Sequence, residues 1–277
     1  MKFIRLTTIA ALSATIFTGG VQAFADDEPT EGEKTNEVRK TTTEGQITFT
    51  PGNDDTVVDP GPDGPDVTIP PVVDPDGQNR GPLTIATVPT MNFGSQIIST
   101  TNKNYNMVAE RQQKTGTTGD ENKVPYVSMA QVQDTRGTNE GWKLNVSLSE
   151  FQATKETQNA VLKGAKITLL DPALLYSVDD LEQRPETHAS GLELLPSEAA
   201  VPVMTAAVKK GAGTSSVVWG DHDAIAKQVA EGADVVENDA IKLFVPGSTA
   251  KDAVTYQSTL TWELNSTPDN STPDTEE

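Results

Sequence analysis

The chain predicts an all-β fold: an antiparallel β-sandwich or barrel-like domain with long loops and at most one or two short helices. Three observations carry this. Two segments more than a hundred residues apart alternate apolar and polar residues, the period of a strand with one buried face. The other apolar runs are short and are separated by Gly, Pro, Asn and Asp clusters, which marks many short strands joined by turns. One stretch alone, "DAIAKQVAE" at 223–231, has helical spacing, with Ile225 and Val229 four apart.

In chain order the expected strands are "PLTIATV", "YVSMAQVQD", "GWKLNVSLSEF", "KGAKITLL", "SVVWG", "AIKLFVP" and "AVTYQSTLTWEL". The third puts Trp142, Leu144, Val146 and Leu148 on one face and Lys143, Asn145, Ser147 and Ser149 on the other. The last opposes Val254, Tyr256, Leu260, Trp262 and Leu264 to Thr255, Gln257, Thr259, Thr261 and Glu263. From Leu83 to Thr267 the chain is long enough for one sizeable core.

Two segments flank this domain. Residues 1–25 read as a secretory signal peptide: Lys2 and Arg5 lead, an apolar run follows, and Ala23 and Ala25 occupy the −3 and −1 positions of a cleavage site. The apolar run is shorter than the roughly 20 residues a membrane span requires, so the expected product is secreted. Residues 26–80 hold 14 Asp or Glu against 4 Lys or Arg, and 8 of the 18 prolines. Such a segment buries too little to offset its ordering entropy, which predicts a disordered acidic Pro-rich arm, with "PGPDGPDVTIPPVVDPDG" extended and solvated. Ile47 and Phe49 alternate with polar neighbours inside it, so 46–50 is a candidate short strand that docks on the domain or is capped by a partner. The expected domain runs over 81–268, and 269–277 is expected to be a disordered tail.

Charge and composition exclude several functions. The formal charge of −19 becomes −21 without Lys2 and Arg5, which argues against nucleic acid, whose binding needs a basic face. Without cysteine there is no disulfide framework and no thiol nucleophile. Neither a zinc-protease, a nucleophile-elbow nor a phosphate-loop spacing occurs. His222 lies between Asp221 and Asp223 and reads as a solvated loop, while His188 has no companion ligands in sequence. Asp179 and Asp180 could be drafted as a glycosidase pair, yet nothing fixes their separation. The expectation is no enzyme, no catalytic residue, no metal and no cofactor.

Three tryptophans occur, and two of them, Trp142 and Trp262, share a Trp-x-Leu spacing. Either the two strands are core, lying side by side with stacked indoles, or their faces converge into a groove for a carbohydrate polymer. Burial contributes roughly 1.5–3 kcal/mol for each large apolar side chain. An indole face also matches the C–H face of a sugar ring while its N–H donates to a hydroxyl. Parity leaves both readings open.

"YQSTLTWELNSTP" resembles the distal signature of the WxL domain: Tyr256, Leu260, Thr261, Trp262, Leu264 and Pro268 fill its positions. "GWKL", with Trp142 and Leu144, resembles the proximal signature, and "GPLTIATVPTMNFG" at 81–94 resembles the beginning of such chains. The resemblance implies a small, single-domain surface protein of low-GC Gram-positive bacteria, held non-covalently at the cell wall with peptidoglycan as receptor. It further implies surface complexes with a larger WxL protein and a membrane-anchored companion, and adhesion to host extracellular matrix. The sequence shows no LPxTG sorting signal and no apolar tail after Pro268, so contacts are expected to do the holding. Between an acidic protein and an anionic wall those contacts are either short-range stacking and hydrogen bonding or divalent-cation bridges, because repulsion fades beyond a Debye length of about 8 Å at physiological salt.

Overall fold

The computed structural model describes residues 40–41, 43–52, 58–61, 63–72 and 76–266. The chain divides into two units, Met1–Ile47 and Thr48–Glu277, and the fold below belongs to the second. The signal-peptide residues Ala23 and Ala25, the motif residue Pro268 and the tail 269–277 lie outside the described residues.

Among the described residues, seventeen strands and one α-helix follow one another. They are β1 (Val67–Thr68), β2 (Leu83–Thr87), β3 (Lys103–Val108), β4 (Glu110–Lys114), β5 (Lys123–Tyr126), β6 (Ser128–Asp134), β7 (Trp142–Leu148), β8 (Gln152–Ala153) and β9 (Lys166–Leu169). After them come β10 (Ala173–Tyr176), β11 (Glu186–Thr187), β12 (Leu192–Leu194), β13 (Val201–Ala206), β14 (Gly213–Trp219), α1 (His222–Ala230), β15 (Glu237–Val245), β16 (Tyr256–Gln257) and β17 (Leu260–Asn265). The fold is all-β, and the strand pairs within its sheets are antiparallel.

Three four-stranded sheets share the main core: β10-β14-β6-β2, β11-β13-β7-β17 and β12-β9-β15-β3. Trp142, Leu144, Val146, Ile167, Leu169, Val217, Trp219 and Ile241 meet there with essentially no exposure. Alternation explains which residues enter. On β6, Ala130 and Val132 join this core, while Met129 faces a second cluster with Val67, Ile69, Tyr126, Val218 and Ile225. The first sheet is therefore covered on both faces, unlike the one-sided sheet that strict alternation implies.

That second cluster corrects the sequence reading of the arm. Val58, Val67 and Ile69 belong to 26–80, yet all three are buried, and Val67–Thr68 pairs with Gln113 and Lys114 of β4. The physical reason is partnership. Gln131 reaches from β6 to the backbone of Asp59, accepting from its N–H at 2.9 Å and donating to its carbonyl at 2.7 Å, so an extended segment pays no unsatisfied-polar penalty for burial. The candidate strand at 46–50 does not form: these residues have no ladder partner, and Ile47 and Phe49 are 75% and 85% exposed.

The helix forms where the spacing predicts it. Asp221 caps it, its carboxylate accepting the N–H of Ala224 at 2.8 Å. Ile225 packs inward, but Val229 is exposed, so the apolar face is narrower than its spacing suggested. His222 is also corrected: it is the first helical residue, half-buried and edge-on to Tyr126 with ring centroids 4.6 Å apart. None of the described helices is long and apolar enough to cross a membrane.

Candidate functional site

The two Trp-x-Leu strands are neighbours. β17 pairs with β7 so that Leu260 faces Leu148, Trp262 faces Val146 and Leu264 faces Leu144. Cross-strand partners share a sheet face, so Trp142 and Trp262 point the same way. They do not stack. Trp142 is four residues along β7 from the partner of Trp262, about 13 Å at the strand rise of ~3.3 Å per residue, and the two indoles make no ring contact.

Their environments differ accordingly. Trp142 is fully buried, and its indole N–H donates to the carbonyl of Gly211 at 2.9 Å. Gly211 has φ 76°, and a Cβ there would lie 2.6 Å from the indole nitrogen, so the turn after β13 requires glycine to let backbone reach the ring. Leu144 is fully buried as well. Both belong to the main core. On β17, which ends its sheet, Leu260, Trp262 and Leu264 are half-buried against the core, while Thr261 is exposed on the outer face.

Leu260, Trp262 and Tyr256 line a cleft of about 1270 Å³. Phe93, Phe151 and Tyr105 add aromatic surface, and the segment 88–98 forms a continuous stretch of its wall. This wall is not a strand, and separate bonds from side chains and backbone fix it. The backbone N–H of Thr90 donates to Glu110 at 2.9 Å, the Gln96 amide donates to the carbonyl of Phe93 at 2.8 Å, and Val108 donates its N–H to the carbonyl of Asn92 at 2.7 Å. Burial pushes the Glu110 carboxyl above its ordinary value, against the pull of the Thr90 and Ser128 hydrogen bonds. Ile97, 91% exposed, and Ile98 form an apolar lip.

Tyr256 contributes a polar tie. Its hydroxyl donates to the carbonyl of Asn159 at 2.7 Å and accepts the N–H of Asp252 at 3.0 Å. Asp252 in turn accepts from the Thr157 hydroxyl, from the Asn159 N–H at 2.8 Å and from the Asn159 side-chain amide at 2.8 Å. These bonds, that of Thr157 first, hold its carboxyl below the ordinary carboxylate value.

The sequence reading of the motif thus divides. Tyr256, Leu260 and Trp262 come together at the cleft; Trp142, Leu144 and Leu264 do not line it. Sequence reasoning missed the 88–98 wall and the cleft-lining residues Lys251 and Asp252. The exposed pair Ile97-Ile98 in an otherwise polar stretch was the available signal. The histidine without companions also has one: His188 Nε2 accepts the indole N–H of Trp219 at 2.9 Å, and its Nδ1 lies 2.7 Å from the carbonyl of Ala189. Asp180, drafted for a carboxylate pair, caps a short 3-10 turn at Leu181–Gln183.

No curated protein and no solved structure matches the chain at significance. A family model does: the WxL domain, a surface cell wall-binding domain, matches residues 36–268. That span contains both Trp-x-Leu strands, the cleft and every described residue. The chain belongs to the WxL family of cell-wall-binding surface domains.

Proposed function

We propose that the protein attaches non-covalently to peptidoglycan and that the cleft beside Trp262 receives the glycan. One observation carries this reading: Trp262 is half-buried in a large cleft, beside Tyr256 and Leu260, while its motif counterpart Trp142 is sealed in the core with its N–H already bonded. A partly exposed indole keeps one ring face for the C–H surface of a sugar. Thr90, Asn92, Gln257 and Ser258 line the same cleft and offer groups for hydroxyls and amides. Since the chain carries a net charge of −19, contact of this kind holds it to an anionic wall at moderate salt. Protein spanning 26–277 is incubated with purified sacculi and pelleted, with and without chelator. Pelleting that survives both salt and chelator supports the reading, release by chelator favours cation bridging, and protein left wholly in the supernatant contradicts it.

A second reading is favoured by the sheet edges. β17 and β3 each end a sheet, and both present residues to the cleft, Trp262 and Tyr105 among them. A strand from a partner protein could add to such an edge and fill the apolar gap. On this reading the domain is an interaction subunit beside a larger WxL protein and a membrane-anchored companion, or an adhesin for host matrix. Co-purification with such a partner, abolished by Trp262→Ala while sacculi binding persists, separates it from the first.

A further inference from the structure

Lys251 lines the cleft, yet its ammonium is fully engaged. Nζ donates to the carbonyls of Ser99 at 2.9 Å, Thr249 at 2.9 Å and Pro246 at 3.2 Å, and an ammonium has three donors. It therefore has none left for a ligand. Ser99 follows directly on the Ile97-Ile98 lip, and Asn102 fastens the same loop by accepting the N–H of Gly247 at 2.9 Å. The next residue, Asp252, fastens the other flank through Thr157 and Asn159, three to five residues beyond Thr154, which also lines the cleft. Two adjacent residues of opposite charge thus tie two separate cleft-forming loops to one segment.

We propose that Lys251 and Asp252 are positioning residues for wall attachment: they set the separation between the 95–99 lip and the 154–159 loop, and with it the fit of the ligand around Trp262. This rests on the reading of the cleft as the ligand site. A charged hydrogen bond is roughly twice as strong as a neutral one, so one ammonium can replace the ladder that this wall lacks. Removing it takes this donor from three carbonyls at once, of which Pro246 alone keeps another, the N–H of Thr249. The backbone of the lip then opens locally while the three-sheet core stays closed.

The test uses protein 26–277 and the variants Lys251→Met, Asp252→Asn, Lys155→Met and Trp262→Ala, each followed by hydrogen exchange and by affinity for sacculi. Lys251→Met keeps the aliphatic stem and removes the cation. Exchange across 95–102 is expected to rise about tenfold, as for a local opening, and affinity to fall by about the same factor. Asp252→Asn is expected to do likewise across 155–160. Lys155→Met, which alters an exposed lysine of the same cleft, should leave exchange in both loops unchanged. Lost affinity with unchanged exchange in Lys251→Met would make the lysine a direct contact and overturn the proposal. Raised exchange with unchanged affinity would also overturn it, provided Trp262→Ala has lost binding. If Trp262→Ala binds as the parent does, the cleft reading itself has failed and the proposal goes with it.

Discussion

Trp262 is the cross-strand partner of Val146, which places the second motif tryptophan on the sheet face of the first, half-buried where Trp142 is sealed. The motif is one structural element with two duties. Trp142 and Leu144 build the strand on which β17 rests, and β17 then holds Trp262 at the boundary between core and cleft.

Core duty predicts a large cost at Trp142. Replacing a fully buried indole by alanine is expected to cost about 3–5 kcal/mol. Trp142→Phe keeps much of the volume but leaves the Gly211 carbonyl without its donor, a cost of about 1–3 kcal/mol. Urea denaturation of both variants checks the order. A midpoint for Trp142→Ala equal to that of the parent would show that the indole is not core.

Packing of the former arm predicts a boundary in truncation. A chain starting at Val58 keeps Val67 and Ile69 in place over the first sheet, whereas one starting at Gly81 loses all three buried residues. Each is worth roughly 1.5–3 kcal/mol. The shorter chain is expected to melt far below the longer one or to fail to fold. Equal melting temperatures would return residues 58–72 to a solvated linker.

Acid is expected to loosen the contact between His188 and Trp219. The imidazole can accept the indole N–H only while neutral, and burial holds its pKa below the ordinary value of 6.5, against the opposing pull of the Ala189 carbonyl. The unfolded chain therefore takes up this proton first as pH falls. The stabilisation is complete above 6.5 and is lost as pH drops from there through the depressed folded value. His222, also depressed by burial, adds an effect of the same sign, which Asp63, Asp221 and Asp223 oppose. Melting temperature followed against pH should fall less steeply in His188→Gln, whose amide oxygen can still accept from Trp219. Parallel curves would remove His188 from the account.

Legibility in the sequence followed burial. On β7 the alternation of Trp142, Leu144, Val146 and Leu148 is visible because one face is sealed and the other meets polar surroundings, and the shared motif pointed to two cooperating strands. Other strands left no such trace. Lys103–Val108 ends its sheet, and Glu110–Lys114 lies in a small three-stranded sheet where none of its residues is fully buried, so neither carries a clear apolar face. The cleft wall at 88–98 has no period, since it joins no ladder: the Glu110 and Gln96 side chains and one backbone bond from Val108 to Asn92 tie it down. Val67 and Ile69 were hidden by their prolines and aspartates: composition pointed to a solvated arm, while distant strands supply the partners, Gln131 for Asp59 and β4 for Val67–Thr68.

The most direct test of the central claim is co-sedimentation of Trp262→Ala with sacculi, read beside its thermal unfolding. The account predicts a cooperatively folded protein, destabilised less than Trp142→Ala, that stays in the supernatant. A variant that is folded and pellets as the parent does would contradict the claim that this cleft holds the wall.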